Sequence, residues 1–242
     1  MASGSFTTIG GMALDNLHAI REESTRFCSA VDGTDLGARV PSCPEWSVRG
    51  LVEHLGRVQR FWADTVRAAD PQQPSRQEHQ APVSDAGLLE WMRGSTDELL
   101  GALEHSSPET PCWTWWGAPR TCGAVARHQV HEAAVHRWDA EAAVGDPTPI
   151  DAAVADDGVA EFLETVLGSS ASTLLGSVSL LSDDTGGRWI VGDQRGPYAV
   201  VRATASDLVL LLYGRLPYSE VEVEGDVTLL RELLGAADTE QT

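Results

Sequence analysis

Positive charge is what this sequence has least of. Its 17 Lys plus Arg face 36 Asp plus Glu, for a formal net charge of −19 at pH 7. A field of that sign repels nucleic acid and anionic membranes, so neither is expected as a partner. It also gives an anionic substrate no general attraction, and capture of one must rest on local cations. Long apolar runs are missing too: LVLLLY at 208–213 is far too short to span a bilayer. The opening MASGSFTTIG has neither the basic nor the apolar region of a secretion signal, so a cytoplasmic protein is expected. Cysteine is sparse. Cys28, Cys43, Cys112 and Cys122 form no C-x-x-C pair and no ladder of spacings, which argues for free thiols over a disulfide framework.

Hydrophobic residues make up 42 % of the 242 residues, a globular composition with enough chain for one large or two modest domains. The first two-thirds reads as helices. Met12, Leu14, Leu17, Ile20 and Phe27 mark one over 10–30, with Gly33 as a stop. Leu51, Leu55, Val58 and Trp62 stripe a second over 47–69, after the turn-like PSCPEW and with Ser47 as its N-cap. A polar linker (71–82) leads to a third helix near 84–105. The tryptophan-rich CWTWWGAP (112–119) precedes a fourth, from about 123 to 144, closed by Gly145 and Pro147. Four such helices predict a bundle. Beyond about residue 150 the texture changes to a helix over 151–167, short β-branched runs (VSLLSDD, GRWIVGD, YAVVRAT), a helix at 206–214 capped by Ser206, and a last helix at 226–236. The expected fold class is α+β, with a helical bundle over 1–148 and a small α+β domain over 149–242.

The stretch HQVHEAAVHRWDAE (128–141) puts three histidines and three acids in the fourth helix. Residues four apart on a helix differ by about 40° of rotation and roughly 6 Å of rise. His128, Glu132 and His136 therefore share a stripe, and His131 points elsewhere. The metalloprotease string H-E-x-x-H is absent because position 135 is Val. Either Glu132 with His136 or His128 with Glu132 offers two ligands to one ion, but the outer pair lies about 12 Å apart along the axis. Val125, His128, Glu132, Val135 and Asp139 occupy core-like spacing, where an unpaired carboxylate is costly. A cation would offset that cost; a His–Glu hydrogen bond or a solvated face are the alternatives. By pattern, His54, between Leu51, Leu55 and Val58, is the best-placed third ligand from another helix.

RVPSCPEWSVRGLVEHLG (39–56) together with ARHQVHEAAVHRWDAE (126–141) resembles the mycothiol-dependent maleylpyruvate isomerase family, a branch of the DinB-like metal-binding bundles. ASDLVLLLYGR (205–215) and VEGDVTLL (223–230) resemble that family's C-terminal domain. The resemblance covers nearly the whole chain and keeps its order. It implies a four-helix bundle holding one divalent metal, usually zinc, through His54, Glu132 and His136. It also implies a functional arginine, Arg215 of L-L-Y-G-R, although family members often carry Trp where this chain has Tyr213. Mycothiol would be the thiol cofactor, a small acid the substrate, and a monomer the usual state.

The reaction so implied is cis–trans isomerisation of a maleylpyruvate-like enoyl acid by reversible thiolate addition. Conjugation of the thiol to an electrophile competes with it, as does a non-catalytic metal- or thiol-binding module. Cys43, just ahead of a helix start, reads as structural. Asp139 could orient a ligand or form a surface salt bridge, and the CWTWWGAP tryptophans could line a pocket mouth or form a lid.

Overall fold

The computed structural model describes residues 14–168 and 174–240; Met12 and the expected helix start at 10 lie outside them. The chain divides into two compact units, Asp15–Pro149 and a second built from Ile150 onward.

The first unit contains helices α1 (Asn16–Val31), α2 (Val48–Ala68), α3 (Leu88–Glu104) and α4 (Cys122–Val144). Side chains close three of the helix starts: Asp15 accepts from the His18 amide, Ser47 from Gly50 and Thr121 from Ala124. Both α1 and α2 pack against α3 and α4, giving a four-helix bundle. Its core includes Phe27, Val31, Leu51, Leu55, Leu88 and Met92. Gln59 ties three helices together, donating to Ser24 Oγ at 3.0 Å and accepting from Thr96 Oγ1 at 2.8 Å. α2 and α3 meet closely at Gly56, where a β-carbon would lie 2.2 Å from the Trp91 ring.

Three expectations are corrected here. The helix near 84 begins at Leu88, because Gly87 adopts a left-handed φ of 89° that helical backbone cannot include. α1 begins at Asn16, set by its Asp15 cap. The PSCPEW turn is a short hairpin, β1 (Arg39–Val40) against β2 (Cys43–Ser47), antiparallel with a register shift. Too few residues lie between its turn signals for an alternating pattern to show.

The second unit contains α5 (Ala152–Thr165), strands β3 (Ser177–Ser182), β4 (Arg188–Gly192) and β5 (Tyr198–Ala203), helix α6 (Ala205–Leu212), a short 3-10 turn, β6 (Glu222–Gly225) and α7 (Val227–Glu240). The sheet order is β4-β3-β5-β6, with only β3 and β5 parallel. Val178, Leu180, Trp189, Val191, Ala199 and Val201 alternate inward. Leu208–Leu212 are all buried, which explains the LVLLL run, and α6 packs against α5 and the sheet. Two further expectations change. α6 is capped by Thr204, not Ser206, which sits inside the helix and accepts from the Ile150 amide at 3.0 Å. The helix also ends at Leu212: Gly214 turns left-handed (φ 71°), and the amides of Gly214 and Arg215 close on the carbonyls of Leu211 and Leu210. β6 went unforeseen because its acids alternate around a single half-buried Val223.

Among the described residues Arg137 is the largest fully buried side chain. Its guanidinium donates to Glu23 on α1 at 2.8 Å, to Glu141 at 2.8 Å, and to the carbonyls of Thr148 at 2.7 Å and Pro149 at 3.2 Å. Removing it leaves the buried Glu23 carboxylate with only the half-exposed Arg26 guanidinium, 3.8 Å away, as counter-charge. Arg137→Met is expected to lose about 3–5 kcal/mol of stability. Urea unfolding followed by circular dichroism measures it, and a loss under about 1 kcal/mol would show the network to be dispensable.

Candidate metal centre

His54 lies in the second turn of α2, and Glu132 and His136 are one turn apart on the neighbouring α4. One donor atom from each comes within 4.8 Å of the others. His54 Nε2 is 3.1 Å from Glu132 Oε1, and His136 Nε2 is 3.3 Å from the same oxygen. A tetrahedral ion with bonds of about 2.0–2.1 Å spaces its ligands roughly 3.3 Å apart. Both separations match an edge of such a tetrahedron, so these residues fit a divalent metal. Among the described residues this is the one cluster of its kind, and it excludes His128 and His131.

Burial is graded across the three. The side chains are 32 % exposed at His54, 19 % at Glu132 and 8 % at His136, so the site opens on its His54 side. Burial by itself would raise the Glu132 pKa. The His136 charge and hydrogen bonds from both imidazoles outweigh it and hold the carboxyl well below the usual range. For His136, burial opposes protonation, but the Glu132 charge and hydrogen bonds to Asp139 and Glu132 raise it to about 9. Without metal, the pair is therefore an imidazolium against a carboxylate.

His136 is held from behind. Its Nδ1 bonds Asp139 Oδ2 at 2.9 Å, and Ser42 Oγ donates to the other oxygen of that carboxylate. Asp139 is fully buried, which rules out a surface salt bridge and fits the ligand-orienting reading. The Trp46 ring of β2 lies 4.5 Å from that of His54 and 5.9 Å from that of His136, centroid to centroid. Sequence reasoning missed both Ser42 and Trp46, although both stand in PSCPEW.

His128 belongs elsewhere. Its ring is surrounded by Trp62, Trp115 and Trp116 at centroid distances of 6.1, 5.7 and 4.9 Å. Trp113 also stacks on Trp62 at 6.0 Å, so CWTWWGAP forms an aromatic cover over this part of the bundle. Burial raises the thiol pKa of Cys28 to about 11 and of Cys112 to about 12, and raises that of Cys122 as well. These three are neutral thiols near pH 7. Cys43 is half-buried within β2. In the second unit Arg215 is half-buried, and its Nη1 donates to the Tyr213 carbonyl at 2.7 Å. The Tyr213 ring packs edge-on against Phe162 at 4.8 Å.

Residues 17–141 match the family model described as the mycothiol maleylpyruvate isomerase N-terminal domain, and residues 153–232 match the MDMPI C-terminal domain. The chain belongs to the mycothiol-dependent maleylpyruvate isomerase family. That family is one of enzymes. The crystal structure titled as the mycothiol-dependent maleylpyruvate isomerase superposes with a TM-score of 0.67 at 14 % identity, covering 87 % of this chain and 92 % of that one. A histidine-to-alanine mutant of the same isomerase gives 0.65 at the same identity and coverage. At such identity the likeness is one of fold. No curated protein matches the chain.

For this member of the isomerase family the donor set predicts about one divalent ion per chain. Elemental analysis of folded protein should find the ion lost in His136→Ala and retained in His131→Ala; the reverse pattern would overturn the assignment. The proton balance gives a second expectation. His136 is protonated below about pH 9 in the metal-free protein and must lose that proton to ligate. Zinc binding at pH 7 should thus release about one proton and weaken as pH falls towards 6. Calorimetry in two buffers of different ionisation enthalpy reads this release directly.

Proposed function

We propose that this protein is a metal-dependent, mycothiol-using enzyme that isomerises a maleylpyruvate-like cis enoyl acid. The observation that carries the reading is the convergence of His54, Glu132 and His136 on one point, with edges of 3.1 and 3.3 Å, in a chain whose two segments match the isomerase family's two domains. When bound, a divalent ion such as zinc keeps the cofactor thiol deprotonated, and reversible addition of that sulfur to an activated double bond permits cis–trans rotation.

The chain's own residues do the rest. His54, Glu132 and His136 supply three protein ligands and so leave a coordination position for an exogenous group. Asp139 holds the Nδ1 proton of His136, which keeps Nε2 directed at the ion. The buried, neutral Cys28, Cys112 and Cys122 do not compete as nucleophiles, which agrees with a sulfur brought in from solution.

Capture of the acid falls to a specific cation, since the chain carries −19 overall. All 17 cationic side chains are arginines, whose guanidinium pairs with a carboxylate through two parallel hydrogen bonds. Arg215 is the arginine we assign to that role. Its backbone is pinned by the closing bonds of α6, so its side chain starts from a fixed root.

Turnover should require both a divalent metal and added mycothiol, with the trans acid as product by chromatography. A stable thiol–substrate conjugate in its place would favour S-transfer, and no thiol-dependent turnover with any enoyl acid would favour a binding module. Arg215→Ala should lower kcat/KM for the acid by about 10–100-fold while metal content stays unchanged. Unaltered kinetics in that variant would remove Arg215 from the mechanism.

A further inference from the structure

We propose that the β1–β2 hairpin is the brace that orients both imidazole ligands, with Trp46 the positioning residue for His54 and Ser42 the remote one for His136. The inference rests on the metal-centre reading and adds a role for a segment that reading leaves idle. The two histidines are supported in different ways. His136 has its Nδ1 held by Asp139, and Ser42 holds Asp139 in turn. His54 makes one nitrogen contact, from Nε2 to Glu132; its Nδ1 has no hydrogen-bond partner among the described residues.

A metal-binding imidazole usually donates its second N–H to a fixed acceptor, which sets the ring plane. At His54 the support that the structure shows is an aromatic ring packed against the imidazole. Trp46 lies 4.5 Å away at a tilt of 44°, and it reaches His136 at 5.9 Å with a tilt of 33°. His54 is also the most exposed of the three ligands, with the most freedom to rotate. Contact with the indole removes that freedom by packing.

The hairpin can serve because it is rigidly joined to the helix it braces. Ser47 ends β2 and caps α2, and the amides of Val48 and Arg49 bond back to the carbonyls of Ala38 and Leu36, each at 2.9 Å. The Trp46 ring therefore moves with α2 as one piece. Ser42, at the hairpin turn, reaches across to α4. One segment of nine residues, Arg39–Ser47, thereby touches both helices that carry ligands.

The test measures zinc affinity by chelator competition and the visible absorption spectrum of the cobalt-substituted full chain. Trp46→Leu keeps apolar bulk and removes the aromatic face; Trp46→Phe restores a face. Trp46→Leu should weaken zinc binding by about 10–100-fold and alter the cobalt spectrum, and Trp46→Phe should stay within about threefold of wild type. Ser42→Ala should weaken binding independently, through the other histidine. Thermal melts of the metal-free variants show that each is folded. Folded Trp46→Leu and Ser42→Ala with wild-type affinity and spectrum would overturn the brace. A wild-type chain that binds no zinc or cobalt would instead overturn the metal centre, so the two failures are distinguishable.

Discussion

A carboxylate set between two imidazoles inside a helix bundle is the constraint on which the rest of this protein depends. Glu132 has little water around it, and a charge so placed requires partners of opposite sign or strong donors. The partners come from two helices, so α2 and α4 must lie side by side in one register. Once they do, the two Nε2 atoms and the carboxylate oxygen converge with little further adjustment. The same three groups that satisfy one another in the metal-free protein are those that a cation would bind.

α4 carries a second buried charge immediately beside the first. His136 faces the donor cluster while Arg137, the next residue, reaches Glu23 on α1 and the carbonyls of 148–149. Successive residues on a helix differ by about 100°, so the two ionic systems leave α4 in different directions. One orients the helix relative to α2, the other relative to α1. Rotation of α4 about its axis would break both systems, and the site's geometry is protected by an ion-pair network that takes no part in it.

Much of this was legible in the sequence, and the illegible part has a physical pattern. His54, Glu132 and His136 could be picked out because helical spacing converts sequence separation into direction. Spacing alone left Glu132 able to pair with His128 or His136; the family resemblance separated them, and the tryptophans around His128 are the structural reason. Asp139 stood on the same helix, so its support of His136 was foreseeable as one of two readings. Ser42 and Trp46 were not, because their contacts cross from a hairpin of two and five residues, too short to leave a periodic signature. The caps followed the same divide. Ser47 was readable, but Thr204 and Ser206 are both good caps two residues apart, and only the hydrogen bonds distinguish them.

Gly56, two residues past His54, has a further consequence. The Trp91 ring occupies the space where any side chain at 56 would go, so positions 56 and 91 share one volume. A larger residue at 56 would lever α2 away from α3 and carry His54 with it. The two positions can drift only in concert, a gain on one helix matched by a loss on the other. A designer moving this donor cluster into another bundle would have to transplant that distant glycine–tryptophan pair as well, since it sets the depth at which the helix bearing His54 sits.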